Sequence, residues 1–242
     1  MCKLFQMKEI EVSYKGSDGI DNILGPFSIE MHKGESLGVI GSSGAGKSTL
    51  GLCLLGLLEE AGGKCLSGKC DIEIPISKIS YIPQDPFASL DPIFTVGALL
   101  EEVNSNREEV RNALDRVHLS EKSINLKSYP HELSGGMRQR IAIAMALLLD
   151  PDLIIADEPT SSLDVLVQKD IMKLFKEINQ SGIAFFFITH NIALASSFCT
   201  RIAVMHEGKI CEIKSTEDLL KNPESKQTRR LLESVVRLKR ED

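Results

Sequence analysis

Gly41, Ser42, Ser43, Gly44, Ala45, Gly46, Lys47 and Ser48 fit the pattern G-x-x-x-x-G-K-S, and Thr49 follows. The chemistry this spacing serves is the holding of a polyphosphate. Glycines let the backbone wrap until several N–H groups point inward at an anion. A helix opening at the lysine adds the partial positive charge of its N-terminus. Lys47 is placed to reach the β- and γ-phosphates, and the Ser48 hydroxyl to ligate Mg²⁺. An accidental glycine turn is the alternative. The context argues against it, because an apolar run precedes the loop and a helical pattern follows. Alone, the motif indicates a nucleoside-triphosphate site and no more.

A second group of polar residues lies far along the chain. Leu153, Ile154, Ile155 and Ala156 form an apolar run that ends in Asp157 and Glu158. A carboxylate at such a strand end can hold Mg²⁺, which makes Asp157 the candidate ligand. Glu158 is then placed to polarise an attacking water. An ordinary exposed acidic turn before Pro159 is the bland reading, and it weakens beside a phosphate loop. His190 follows another apolar run, Ala184 to Ile188. A polar residue at the carboxyl end of a strand in an α/β sheet faces the ligand crevice, where His190 would meet a γ-phosphate and orient water. His32, His118, His131 and His206 lack such a context and read as surface or core residues.

The elements that must carry these groups follow from periodicity and punctuation. Alternation at Ile10, Val12 and Tyr14 predicts a strand over Leu4 to Tyr14, and Phe27, Ile29 and Met31 predict another. Asp18 and Gly19 signal a turn between them. Ser36 to Ile40 reads as a strand and Lys47 to Leu58 as a buried helix. Ile72, Ile74 and Ile76 suggest a strand, as do Ile79 to Ile82. From about residue 85 to 149 helical patterns replace strands, at Val96 to Val103, Glu108 to His118 and Gly136 to Leu149. Strand and helix then alternate: Leu153 to Ala156, Val165 to Asn179, Ala184 to Ile188. Two short strands, Arg201 to Met205 and Lys209 to Ile213, flank Glu207 and Gly208, and a charged helical tail begins at Thr216. The predicted fold is α/β, a mixed sheet with a parallel core. A helical unit at 85–149 divides the core segments 1–84 and 150–242.

Composition narrows the function classes. The chain has 242 residues, 43% hydrophobic and 26% charged, an ordinary globular balance. A net charge of −6 and a pI near 5.5 argue against a dedicated nucleic-acid binder, so no nucleic-acid partner is expected. No apolar run approaches membrane-spanning length, and charge enters too early at the N-terminus for a secretory signal. Six cysteines lack C-x-x-C spacing and read as reduced thiols serving as small hydrophobes.

Leu133, Ser134, Gly135, Gly136, Met137, Arg138, Gln139 and Arg140 resemble the signature sequence of ABC ATPases, L-S-G-G-x-x-Q-R. With it, nearly the whole chain is similar to one ABC nucleotide-binding domain. The resemblance implies a P-loop NTPase core, an antiparallel β subdomain and a helical signature subdomain. It matches Tyr14 to the aromatic that stacks on adenine, and Gly41 to Thr49 to the phosphate loop. It matches Gln84 to a loop glutamine that touches Mg²⁺ and the attacking water. Asp157 is matched to the metal-holding aspartate, Glu158 to the catalytic glutamate and His190 to the switch histidine, while Ser161 to Asp164 match the D-loop. Lys47, Gln84, Glu158 and His190 would be catalytic, and Ser48, Gln84 and Asp157 would surround the metal. Ser134, Gly135 and Gly136 would bind the ATP of a companion domain paired head to tail. The stretch from Gln84 to Gly97 further resembles the oligopeptide, dipeptide and nickel importer branch. The chain departs from that branch at Ser225, Gln227 and Thr228, and it has no cysteine after Cys211.

The resemblance implies an ATPase on the cytoplasmic face of a membrane, using ATP and Mg²⁺. Its implied partners are a second, non-identical ABC ATPase, two permease subunits and, indirectly, an extracytoplasmic binding protein. A soluble ABC ATPase of DNA repair or ribosome work is the alternative, and it would normally carry long insertions absent here.

Overall fold

The computed structural model describes residues 2–15, 21–120 and 123–238. The Asp18 and Gly19 turn lies outside them. Strands β1 (Lys3–Lys15) and β2 (Asp21–His32) pair antiparallel, as their alternation predicts, and β4 (Gly63–Ile72) adds to the other edge of β1. These make a three-stranded sheet in the order β2-β1-β4.

The second sheet carries the chemistry. It comprises β3 (Ser36–Gly41), β5 (Ile79–Ile82), β6 (Leu153–Asp157), β7 (Ala184–Thr189), β8 (Arg201–His206) and β9 (Lys209–Ser215), in the order β5-β6-β7-β3-β8-β9. All neighbours are parallel except β8 and β9. Every residue of β3, β6 and β7 is buried, the near-continuous apolar run of a parallel strand covered on both faces. The β8–β9 hairpin turns at Glu207 and Gly208, both with positive φ (46° and 76°), the pairing that a two-residue turn needs to match strand twist.

Helices fill the two faces. They are α1 (Lys47–Leu55), α2 (Val96–Val103), α3 (Arg107–Arg116), α4 (Gly135–Leu148), α5 (Val165–Gln180), α6 (Ile192–Phe198), α7 (Thr216–Lys221) and α8 (Lys226–Leu238). One core cluster joins α2, α3, α4 and α5 to one sheet face. The other joins α1 and the antiparallel sheet to the opposite face, where Leu50, Leu54, Phe186 and Val12 meet. In the first, Phe175, Phe185, Phe187 and Phe198 pack ring against ring at 5.2–6.2 Å. Burying each such ring contributes roughly 1.5–3 kcal/mol.

Three expectations need correction. Helix α1 stops at Leu55 and not at Leu58, because Gly56 takes a left-handed C-cap (φ 70°) whose N–H bonds back to Cys53 O. The strand expected at Ile72 to Ile76 lies upstream as β4, and Pro75 precedes a 3-10 turn over Ile76–Lys78. Of the six cysteines only Cys199 is a buried hydrophobe; Cys53 is half-buried and Cys2, Cys65, Cys70 and Cys211 are exposed.

Candidate nucleotide site

Each sequence-predicted group near the phosphate loop sits at the carboxyl end of a parallel strand. The loop follows β3, Gln84 follows β5, Asp157 ends β6 and His190 follows β7. That edge is where open α/β sheets place their ligand crevice. A cavity of about 620 Å³ opens there. Its wall includes Tyr14, Ser43, Gly44, Gly46, Lys47, Ser48, Thr49, Gln84, Asp157 and Glu158. Sequence reasoning did not foresee Leu24, Glu207 and Gly208, which also line it.

The loop geometry follows from its glycines. Gly44 and Gly46 have φ of 77° and 95°, a conformation L side chains rarely adopt. A Cβ on Gly41 would stand 2.3 Å from Met205 O, so only glycine lets the loop pass β8. Ala45 is buried and its carbonyl accepts from Gly208 N–H, while Ser42 is exposed. The first turn of α1 holds no acidic residue, leaving its N–H end free for an anion. Lys47 is only 6% exposed, and its Nζ donates to the Gly41 and Ser42 carbonyls at 3.0 Å each. Burial lowers its pKa, opposed by the charges of Glu158 and Asp157. Tyr14 Oη donates to Thr49 Oγ1 at 3.4 Å, which ties the ring to the first turn of α1 at the cavity wall.

Asp157 is 7% exposed. Burial raises its pKa, opposed by hydrogen bonds from Ser48 and Tyr81. Glu158 has a left-handed backbone (φ 45°), and its N–H bonds to Ile188 O at 2.9 Å. Such strain in a non-glycine residue costs about 1–3 kcal/mol and clusters at functional sites. Nothing in the sequence signals it. His190 does not line the cavity. Its Nδ1 lies 2.6 Å from Glu158 Oε2, and it borders a smaller 110 Å³ recess with Thr160, Gln168 and Asn191. The histidine thus reaches the crevice through Glu158.

Ser134, Gly135 and Gly136 stand apart from the cavity wall. Ser134 caps α4, accepting from Met137 N–H at 3.3 Å. A Cβ on Gly136 would lie 2.7 Å from Val167 Cγ1, so glycine lets α4 meet the start of α5.

Comparisons with known proteins give the family. Residues 24–161 match the family model described as ABC transporter. The dipeptide transport ATP-binding protein DppD of Bacillus subtilis is 37% identical, over 98% of this chain and 78% of its own length. The chain belongs to the ABC transporter family, as an ATPase subunit. The oligopeptide transport ATP-binding protein OppD of Escherichia coli is also 37% identical, over 97% of this chain and 76% of its own length. Among solved ABC structures, cbiO1 of Clostridium perfringens, part of the transporter complex cbiONQ, aligns at TM-score 0.78 and 28% identity, covering 92% of each chain. A dimeric ATP-binding cassette in a post-hydrolysis state, bound to ADP and Pi, aligns at TM-score 0.72 and 26% identity, over 88% of this chain and 98% of its own. No helix among the described residues is long and apolar enough to cross a membrane.

Proposed function

We propose that this ABC subunit hydrolyses ATP to ADP and phosphate to drive peptide import through partner permeases. The observation that carries the reading is the separation of two helix N-termini. Lys47 and Ser48 open α1 at the cavity, while Ser134 caps α4 outside its wall. A second ABC ATPase, a non-identical sister in our reading, supplies the missing helix end to this ATP and receives Ser134, Gly135 and Gly136 at its own. ATP then joins the pair, and hydrolysis releases it. The helical unit at 85–149 presents this signature, and the Gln84 loop beside it meets the permease at the cytoplasmic face of the membrane.

Within the cavity, Tyr14 stacks on the base, and the loop N–H groups with Lys47 hold the phosphates. Glu158 accepts a proton from the attacking water, while His190, already bonded to Glu158, orients it. A Mg²⁺ ion fits the residues present. Ser48 and Asp157 touch through a hydrogen bond, and their all-oxygen donors suit a hard cation. Ser48 and Asp157 would hold it, with Gln84 nearby; when bound, it neutralises charge building on the phosphates.

Peptide cargo is favoured over nickel because the relatives matched across almost the whole chain are named for peptide transport. The test is Glu158→Gln in the complex assembled with the sister ATPase and permeases. Turnover should fall by about 10²–10⁴-fold while ATP binding persists and the closed pair accumulates. Unchanged turnover would remove Glu158 from its role. Stimulation of the wild-type complex by nickel and not by peptides would reverse the cargo assignment.

A further inference from the structure

Asp157 receives a hydrogen bond that the phosphate-loop pattern does not explain. Tyr81 lies on β5, where the register pairs it with Ile155 of β6, two residues short of Asp157. Of the four β5 residues it alone is not buried. Its side chain runs beside β6, and its Oη donates to Asp157 Oδ2 at 3.3 Å. The ring is 40% exposed yet does not line the nucleotide cavity. Tyr81 therefore reaches the carboxylate from outside the cavity wall.

Asp157 thus has two hydroxyl donors, Ser48 and Tyr81, with different prospects. Ser48 opens α1 beside the phosphates, and its oxygen must turn to the cation when Mg-nucleotide enters. A carboxylate released by one donor is free to rotate unless another holds it. We propose that Tyr81 is a positioning residue for the cation: its hydroxyl holds Asp157 Oδ2 so that the other carboxylate oxygen faces the Ser48 and phosphate side. This inference rests on the Mg-ATP reading of the site. It extends that reading to a residue outside every motif noted in the sequence. Partners of this kind fix ligand orientation at metal sites, and losing one typically costs 10–100-fold in metal affinity.

The test is Tyr81→Phe in the full chain, which keeps the half-exposed ring and deletes the hydroxyl. Binding of a fluorescent ADP is measured in EDTA and across a Mg²⁺ titration, and Mn²⁺ binding to the nucleotide complex is followed by electron paramagnetic resonance. The expected result is unchanged affinity in EDTA, within about twofold, with the Mg²⁺ and Mn²⁺ midpoints raised about tenfold. The melting temperature should fall by no more than about 2–4 °C, the shift that one lost hydrogen bond implies. Identical metal midpoints in variant and wild type would overturn the proposal. So would an equal loss of ADP affinity with and without metal, since that would mark a packing role. A wild-type chain whose ADP binding ignores Mg²⁺ would overturn the site reading itself, and this proposal with it.

Discussion

Burial pushes the Asp157 carboxyl above its ordinary range, against the opposing pull of the Ser48 and Tyr81 hydroxyls and of Lys47. An acid with a raised folded pKa binds more protons folded than unfolded over the interval between the two values. Stability therefore falls as pH rises through that interval, and at neutral pH the ionised group is a net cost. In the proposed reading that charge serves a Mg²⁺ ion. Asp157→Asn removes the buried charge but keeps an oxygen for both hydroxyls. It should raise the melting temperature of the nucleotide-free chain by about 2–4 °C, the shift expected for 1 kcal/mol at this size. The same variant should lose the extra stabilisation that Mg²⁺ adds to ADP. Thermal scans with and without Mg-ADP measure both, and a lower melting temperature in the free variant would contradict the argument. Glu158 tells a related story: its left-handed φ of 45° is strain that the β6–β7 contact at Ile188 O holds in place.

At the scale of elements, one side chain of β9 anchors the start of α8, whose Leu231 and Leu232 pack on the core. Glu212 accepts from Thr228 Oγ1 at 2.6 Å, from Glu224 N–H at 2.9 Å and from Ser225 N–H at 3.0 Å. Burial pushes its pKa up, but these bonds, with Lys214, win and hold it at about 2. The sign follows. A depressed folded value contributes stability that is complete above the ordinary value near 4.5 and is lost as pH falls toward 2. Glu212→Gln should cost on the order of 1–3 kcal/mol at pH 7. It should also flatten the fall in stability between pH 4.5 and pH 2, as read by denaturant titration. An acid limb as steep as wild type would assign that loss of stability to other carboxyls. The anchor involves Ser225 and Thr228, where the sequence departs from the importer branch. What the sequence made legible at this scale were the elements whose own pattern decides them. The all-buried strands β3, β6 and β7 and the capped helices α2 and α5 are of that kind. Strand β4 was not legible, because most of its residues face solvent and its conformation comes from pairing with β1. Helix α6 is seven residues long, and only the cap at Asn191 announces it. Tyr81 escaped for a similar reason: its contact with Asp157 depends on the β5–β6 register, which no local pattern specifies.

Across the whole molecule, the proposed reading divides binding and turnover between two helix ends, those of α1 and α4. Tyr14, Lys47, Ser48 and Asp157 share one cavity, and each belongs to the segments that build the two sheets. Ser134 caps a helix whose first residues pack on Leu163 and Val167, outside that cavity. A side chain too large and too cationic at Ser134 should therefore leave the chain's own nucleotide affinity intact and damage only the composite site across the pair. In Ser134→Arg, loss of the cap costs about 1 kcal/mol, or 2–4 °C in melting temperature. Nucleotide affinity of the isolated variant should stay within about twofold of wild type. In the chain assembled with its sister, the composite site that borrows Ser134 should lose turnover by about two orders of magnitude, as removal of an oxyanion-directed donor does in other active sites. Pairing the variant with a wild-type sister isolates the effect further. The composite site that borrows this Ser134 should fail, while the one built on this chain's Lys47 keeps all its groups. Equal loss of affinity in the isolated variant would place Ser134 within reach of its own cavity and remove the physical reason for a second ATPase.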